Sequence, residues 1–347
     1  MATARLAART ALLLAVWLCG LCGLALAAGT ARPGAVLAYV EQYGETTQLR
    51  MIDVDRRLDQ RVRNHPDCAL TWLSRDRLIF VDVPPGQLPR LVSVSPWRLN
   101  DIIQPGMGRF YEQAPAVSPN GQIAYAENWT YDNQIILFDN AGERRVIPGV
   151  AIWVSNLQWS ADGARILAQG IDESRRPGAY LIDIDAQSAH RLPLPHPRAW
   201  LLPDGERAVY EFQGDLFALD VETNAERILH NDAHLSRLPV PSPDGTRIAY
   251  VSLSNGARLH LLDLASGTAR PLVNDLYTDI DLIAWSPDGR RIAFAARPIS
   301  DRLYGMLTPY DILIVDTVSG AVWRAKRGAG AYINNFSRFC AFAWMPR

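Results

Sequence analysis

Lysine is almost missing from this chain. Of its 35 basic residues, all but Lys326 are arginine. Arginine codons are GC-rich, so the bias reads as ancestry and not as function. Charge of one sign is missing too. The 36 acidic residues offset the basic ones to a formal net charge of −1, which leaves no broad electrostatic footprint for nucleic acid or an anionic membrane surface. No Gly-x-Ser-x-Gly elbow is present. Gly106-Met107-Gly108 and Gly328-Ala329-Gly330 lack the third glycine and the strand-to-helix setting of a dinucleotide loop. Histidine is scarce, at six residues. His230 and His234 stand four apart, but they flank Asn231-Asp232 in a loop-like stretch, where that spacing does not put both on one face. The sequence therefore offers no catalytic residue, no metal site and no cofactor.

After the first 27 residues, no segment is apolar enough to span a bilayer. Those 27 read as a signal peptide. Arg5 and Arg9 are the positive region, residues 11–21 the apolar one, and Ala25-Leu26-Ala27 a small-x-small cleavage site before Ala28. The competing reading is an uncleaved anchor. The residues before Cys19 and Cys22 do not form a lipobox, and Arg5 and Arg9 are not a twin-arginine pair. Residues 28–347 are expected to be periplasmic, or secreted as the alternative, with no stable membrane insertion after cleavage.

What the sequence does have is an internal repeat. Trp285-Ser286-Pro287-Asp288-Gly289 is followed by Ile292-Ala293-Phe294, and Pro241-Ser242-Pro243-Asp244-Gly245 by Ile248-Ala249-Tyr250. Further copies are Trp159-Ser160-Ala161-Asp162-Gly163 and Val117-Ser118-Pro119-Asn120-Gly121. Weaker ones are Leu201-Leu202-Pro203-Asp204-Gly205 and Trp72-Leu73-Ser74-Arg75-Asp76. Each reads as a hairpin, in which proline sets an early φ, aspartate caps the turn and glycine takes positive φ. The turns fall near 74–76, 118–121, 160–163, 202–205, 242–245 and 286–289. Their anchors at 72, 117, 159, 201, 241 and 285 are 40 to 45 residues apart, the length of a four-stranded propeller blade. A third strand with an acidic end follows in most copies, as in Leu259-His260-Leu261-Leu262-Asp263. Alternation within the strands is weak, as expected of blades covered on both faces.

Val36-Leu37-Ala38-Tyr39-Val40 matches a second strand with no first strand before it. The closing segment 339–347 matches a first strand that stops at its turn. The fold expected is all-β: one closed seven-bladed β-propeller over 28–347, its first blade completed by the C-terminal strand in a velcro closure. Six blades is the alternative count.

These Ser-Pro-Asp-Gly copies resemble the repeats of the TolB-type propeller family, which includes the periplasmic Tol-Pal translocation protein and the propellers of prolyl oligopeptidases. The resemblance covers nearly all of 34–347. It implies the fold, while function lives in sites grafted onto folds. The chain departs from the Tol-Pal protein in blade count and in having no α/β domain ahead of the propeller, and it carries no peptidase domain.

A binding face is sought in the long loops between second and third strands. Trp129 and Tyr131 lie in one, Arg175 and Arg176 in another, and Arg302, Tyr304 and Tyr310 in the longest, at 297–310; Tyr332 joins them from a loop between blades. Aromatic and arginine residues are enriched in binding hot spots. The competing reading is that these aromatics cover the ends of the core. The function expected is a non-catalytic scaffold that binds a protein or envelope component, as a monomer. The alternatives are a lyase or hydrolase with a central-channel site and an accessory or sensor subunit of an envelope complex. Cys68 and Cys340 occupy equivalent positions in neighbouring inner strands, and either a disulfide or two buried thiols fits them.

Overall fold

The faces of these strands decide the architecture. In the computed structural model, β1 (Val36–Tyr43) sends Val36, Ala38 and Val40 to one side and Leu37 and Tyr39 to the other, and both sets are buried. The same holds for β5 (Arg77–Asp82), where Leu78 and Phe80 face one cluster and Ile79 and Val81 another. A strand apolar on both faces needs a sheet packed against each. Repeating this demand around the chain closes a ring.

The structure describes residues 35–347, apart from 44–45, 65, 96–97, 104–110, 129–132, 140–142, 148–151, 232–236, 254–255, 275–276, 299–308, 329–336 and 347. The signal-peptide expectation therefore lies outside the described residues. Among those described there are twenty-eight strands and no helix. They form seven four-stranded antiparallel sheets. Blade 1 has the order β28 (Ser337–Trp344), β1, β2 (Thr46–Asp53), β3 (Leu58–Asn64). Blade 2 runs β4 (Pro66–Ser74), β5, β6 (Arg90–Ser95), β7 (Arg98–Ile103). Blades 3 to 7 begin at the inner strands β8 (Tyr111–Val117), β12 (Ile152–Trp159), β16 (Ala199–Leu201), β20 (Arg237–Pro241) and β24 (Tyr277–Trp285). The chain's last strand pairs with its first, Leu37 opposite Trp344 and Tyr39 opposite Phe342. The expected seven blades are all present.

There is no single core. Seven apolar clusters occupy the seven seams, each drawing residues from two adjacent blades. Polar latches align the seams near the axis. The tryptophan that opens a repeat donates its indole N–H to a carbonyl on the inner strand of the preceding blade. Trp72 reaches Ala343 at 3.0 Å, Trp159 reaches Ala116 at 3.2 Å, Trp285 reaches Val240 at 2.9 Å and Trp344 reaches Ala284 at 3.0 Å. Where blade 5 has Leu201 in place of tryptophan, Gln158 of blade 4 both donates to and accepts from the Leu201 backbone, each at 2.9 Å.

The repeat turns are built as their residues require. Ser160, Ser242 and Ser286 each donate to the aspartate two residues on and accept the N–H of the arginine five residues on. The aspartates Asp162, Asp244 and Asp288 accept turn N–H groups, so they are local caps. Gly245 has φ +68°, and a Cβ placed there would meet Pro203 Cδ of blade 5 at 3.2 Å.

Two substitutions separate these effects. Trp285→Phe removes the cross-seam donor and some packing, and is expected to cost about 1–3 kcal/mol. Gly245→Ala is expected to cost at least about 1 kcal/mol through positive φ alone. Urea unfolding checks both: the midpoint should fall with the slope unchanged.

Candidate functional site

The inner strands frame a central channel. All first-to-second-strand turns share one end of it, because successive strands run antiparallel. At that end lies a cavity of about 630 Å³, lined from six blades. Its polar groups are Thr71, Ser118, Asn156, Gln158, Ser160 and Ser242, and its apolar ones include Trp72 and Trp159. Six prolines complete the wall: Pro115, Pro119, Pro203, Pro241, Pro243 and Pro346. None of the twenty-one lining residues is ionisable. The wall offers hydroxyls, amides, backbone carbonyls and flat apolar rings. It can grip an uncharged or extended segment, and among the described residues that line it none would exchange a proton at neutral pH.

The repeat contributes a second set of residues that a reading of turns alone misses. In three of the repeat turns the arginine two places after the glycine crosses to the next blade, whereas Arg207, two after Gly205, stays on Asp204 of its own turn. Arg165 donates to Gly205 O at 2.9 Å and pairs with Glu222. Arg247 donates to Gly289 O at 3.2 Å and lies over the Trp285 ring at 5.2 Å. Arg291 pairs with Asp55 of blade 1 at 2.7 Å. Four repeat turns carry the spacing Gly-x-Arg, and three of their arginines make this crossing.

A charged latch ties blade 7 to blade 1. Asp59 on β3 accepts Arg50 at 2.7 Å, Tyr39 Oη at 2.8 Å, and the single lysine, Lys326 of blade 7, at 2.7 Å. Burial works against an ionised Asp59, but the hydrogen bonds from Arg50, Lys326 and Tyr39 outweigh it and hold the carboxyl below the usual range. Burial, then the Asp59 charge, pushes the Tyr39 hydroxyl far up. The aspartates that cap the later turns are depressed as well, Asp220 and Asp263 chiefly by backbone N–H groups.

Of the eight residues proposed for a binding face, Trp129, Tyr131, Arg302, Tyr304 and Tyr332 lie outside the described residues. Arg175 and Arg176 are exposed in the turn after Asp172, and Arg176 pairs with that aspartate at 3.1 Å. Tyr310 is buried, only 6% exposed. Its hydroxyl donates to Asp279 and its ring lies 4.3 Å from the Arg297 guanidinium, so it serves the blade 7 core and not an open surface. His230 and His260 both pack on the Tyr250 ring, and His234 is outside the described residues. Among the described residues no three His, Cys, Asp or Glu side chains gather as metal ligands. Cys68 is disulfide-bonded.

No family model and no curated protein matches this chain. Solved structures do. TolB from Acinetobacter baumannii is 18% identical, with a TM-score of 0.53 over 90% of this chain and 82% of that one. An oligogalacturonate lyase from Vibrio parahaemolyticus is 11% identical, with a TM-score of 0.59 over 87% of this chain and 88% of that one. A puromycin hydrolase is 17% identical, with a TM-score of 0.65 over 86% of this chain but 54% of that one.

Acid should act on this molecule through its depressed carboxyls. A folded-state pKa below the unfolded value near 4 means the contribution is complete above that value and is lost as pH falls through the folded one. The melting temperature is expected to hold from about pH 7 to about pH 5 and to drop below about pH 4. Asp59→Asn should melt lower at neutral pH and show a shallower acid drop, which calorimetry against pH reads directly. What the chain shares with these three solved proteins, at such identities, is the TolB-like propeller fold.

Proposed function

We propose that this chain is a non-catalytic propeller of the periplasm that holds an extended segment of a partner protein in the turn-end cavity of its channel. The observation that carries this reading is the cavity wall, about 630 Å³ within and with no ionisable residue among those that line it. Aromatic rings, prolines and small polar side chains suit a peptide, whereas acid–base or metal chemistry needs groups that the described residues of this wall do not supply. The likeness in fold to TolB supports the envelope setting, together with the N-terminal segment read as an export signal. The lyase and hydrolase likenesses keep an enzyme as the competing reading, with its reactive groups away from this cavity. Cys340 is the partner we assign to Cys68. It lies on β28, and Trp72 of β4 is bonded to Ala343 of the same strand. A bond between them would tie the first blade to the second across 271 intervening positions of sequence.

Plugging the cavity tests the function. Thr71→Trp and Asn156→Trp should reduce capture of periplasmic proteins at least tenfold and leave the melting temperature within a few degrees; equal capture by both would remove the cavity from consideration. The export reading is checked separately. The mature protein should begin at or near Ala28, leave the cell on osmotic shock, and show no free thiol when denatured without reductant.

A further inference from the structure

At the other end of the blades, away from the channel cavity, a cleft of about 390 Å³ opens between blades 1 and 2. Three arginines line it: Arg61 and Arg63 from the outer strand of blade 1 and Arg90 from the start of β6. One carboxylate, Asp82, faces them, and it is 3% exposed. Arg63 Nη2 and Arg90 Nη2 both lie against the same atom, Asp82 Oδ2, at 3.6 and 3.2 Å. That oxygen cannot saturate two guanidiniums. Arg90 Nε is buried and has no hydrogen-bond partner, and Arg61 makes no ion pair among the described residues. Among the described residues that line the cleft, three cations stand against one anion, an excess of +2 on a chain whose formal net charge is −1.

The backbone aims these groups. The pairing of β2 with β3 shifts register between Leu49 and Arg50, which leaves Val62 unpaired between Arg61 and Arg63. Such bulges re-aim side chains and are common next to sites. Here Arg63 crosses the seam to blade 2. Pro84 and Pro85 form the facing wall.

We propose that this cleft binds a phosphate monoester carried on a body the size of a sugar. Guanidinium forks that converge from two strands on one point match the clustered oxygens of a tetrahedral oxyanion better than two separate carboxylates. The excess of +2 matches the dianion, which forms as the second phosphate pKa near 6 is passed. The volume lies at the lower end of the range for small-ligand pockets, about 300–1,000 Å³. A free sugar phosphate and the phosphorylated headgroup of a lipid present the same chemistry. This site is independent of the channel cavity, and of whether that cavity holds a peptide.

Calorimetric titration of the mature chain tests it. Hexose 6-phosphate should bind with a Kd from micromolar to low millimolar, several-fold tighter at pH 7.5 than at pH 5, and weaker as salt rises. Arg61→Gln removes a charge that Asp82 does not hold, and should weaken binding at least fivefold with no change in melting temperature. Asp82→Asn removes the competing carboxylate and should tighten binding at least threefold. Vesicles of neutral lipid with and without phosphatidic acid form the second arm: pelleting only with phosphatidic acid, abolished by Arg61→Gln, assigns the lipid source, and binding of the free ester alone assigns the metabolite. Hexose 6-sulfate binding as tightly as the phosphate would overturn the dianion assignment. No binding in either arm, or binding that Arg61→Gln and Asp82→Asn leave unchanged, would overturn the site.

Discussion

Every sheet in this protein is apolar on both faces, and the rest of the structure follows from that. A sheet of this kind cannot rest on one neighbour and leave its other side in water. Seven of them satisfy one another only by closing a ring, with one apolar cluster at each seam. The burial of Leu78 and Phe80 toward blade 1 and of Ile79 and Val81 toward blade 3 shows the arrangement in a single strand. Joining β28 to β1 means that the chain's ends pair with each other, so β1 has a partner on both of its edges.

Apolar faces packed in this way do not by themselves set the rotation of one blade against the next. Directional contacts do that, at two radii. Near the axis, indole N–H groups and Gln158 bond to inner-strand carbonyls of a neighbouring blade. Farther out, Arg165 and Arg247 reach the turn of the following blade. The Asp59 cluster adds a charged contact between blades 7 and 1. With the frame held this way, the channel wall need not carry any charge for stability, and the described residues that line its turn end carry none.

The two cavities differ in chemistry as well as position. The channel cavity is assembled from inner strands and repeat turns, so its wall inherits the prolines and small polar residues of the repeat. The cleft between blades 1 and 2 is built from the outer strand of blade 1, beside its bulge, and the proline-containing turn before β6.

The spacing of Ser-Pro-Asp-Gly copies determined the blade count, the turns and the all-β class, because each copy encodes its hairpin within a few residues. Val36-Leu37-Ala38-Tyr39-Val40 and the segment around Trp344 foretold the composite first blade for the same reason, each being a recognisable half of one repeat. The sites were not legible in this way. Tyr310, read as part of a loop face, is buried on Asp279, since whether an aromatic near a strand end points inward depends on the neighbouring blade. The cross-seam arginines, the charge excess around Asp82 and the uncharged channel wall each join residues from different blades. Distances of that kind exist only after the ring has closed, so tertiary structure alone decided them.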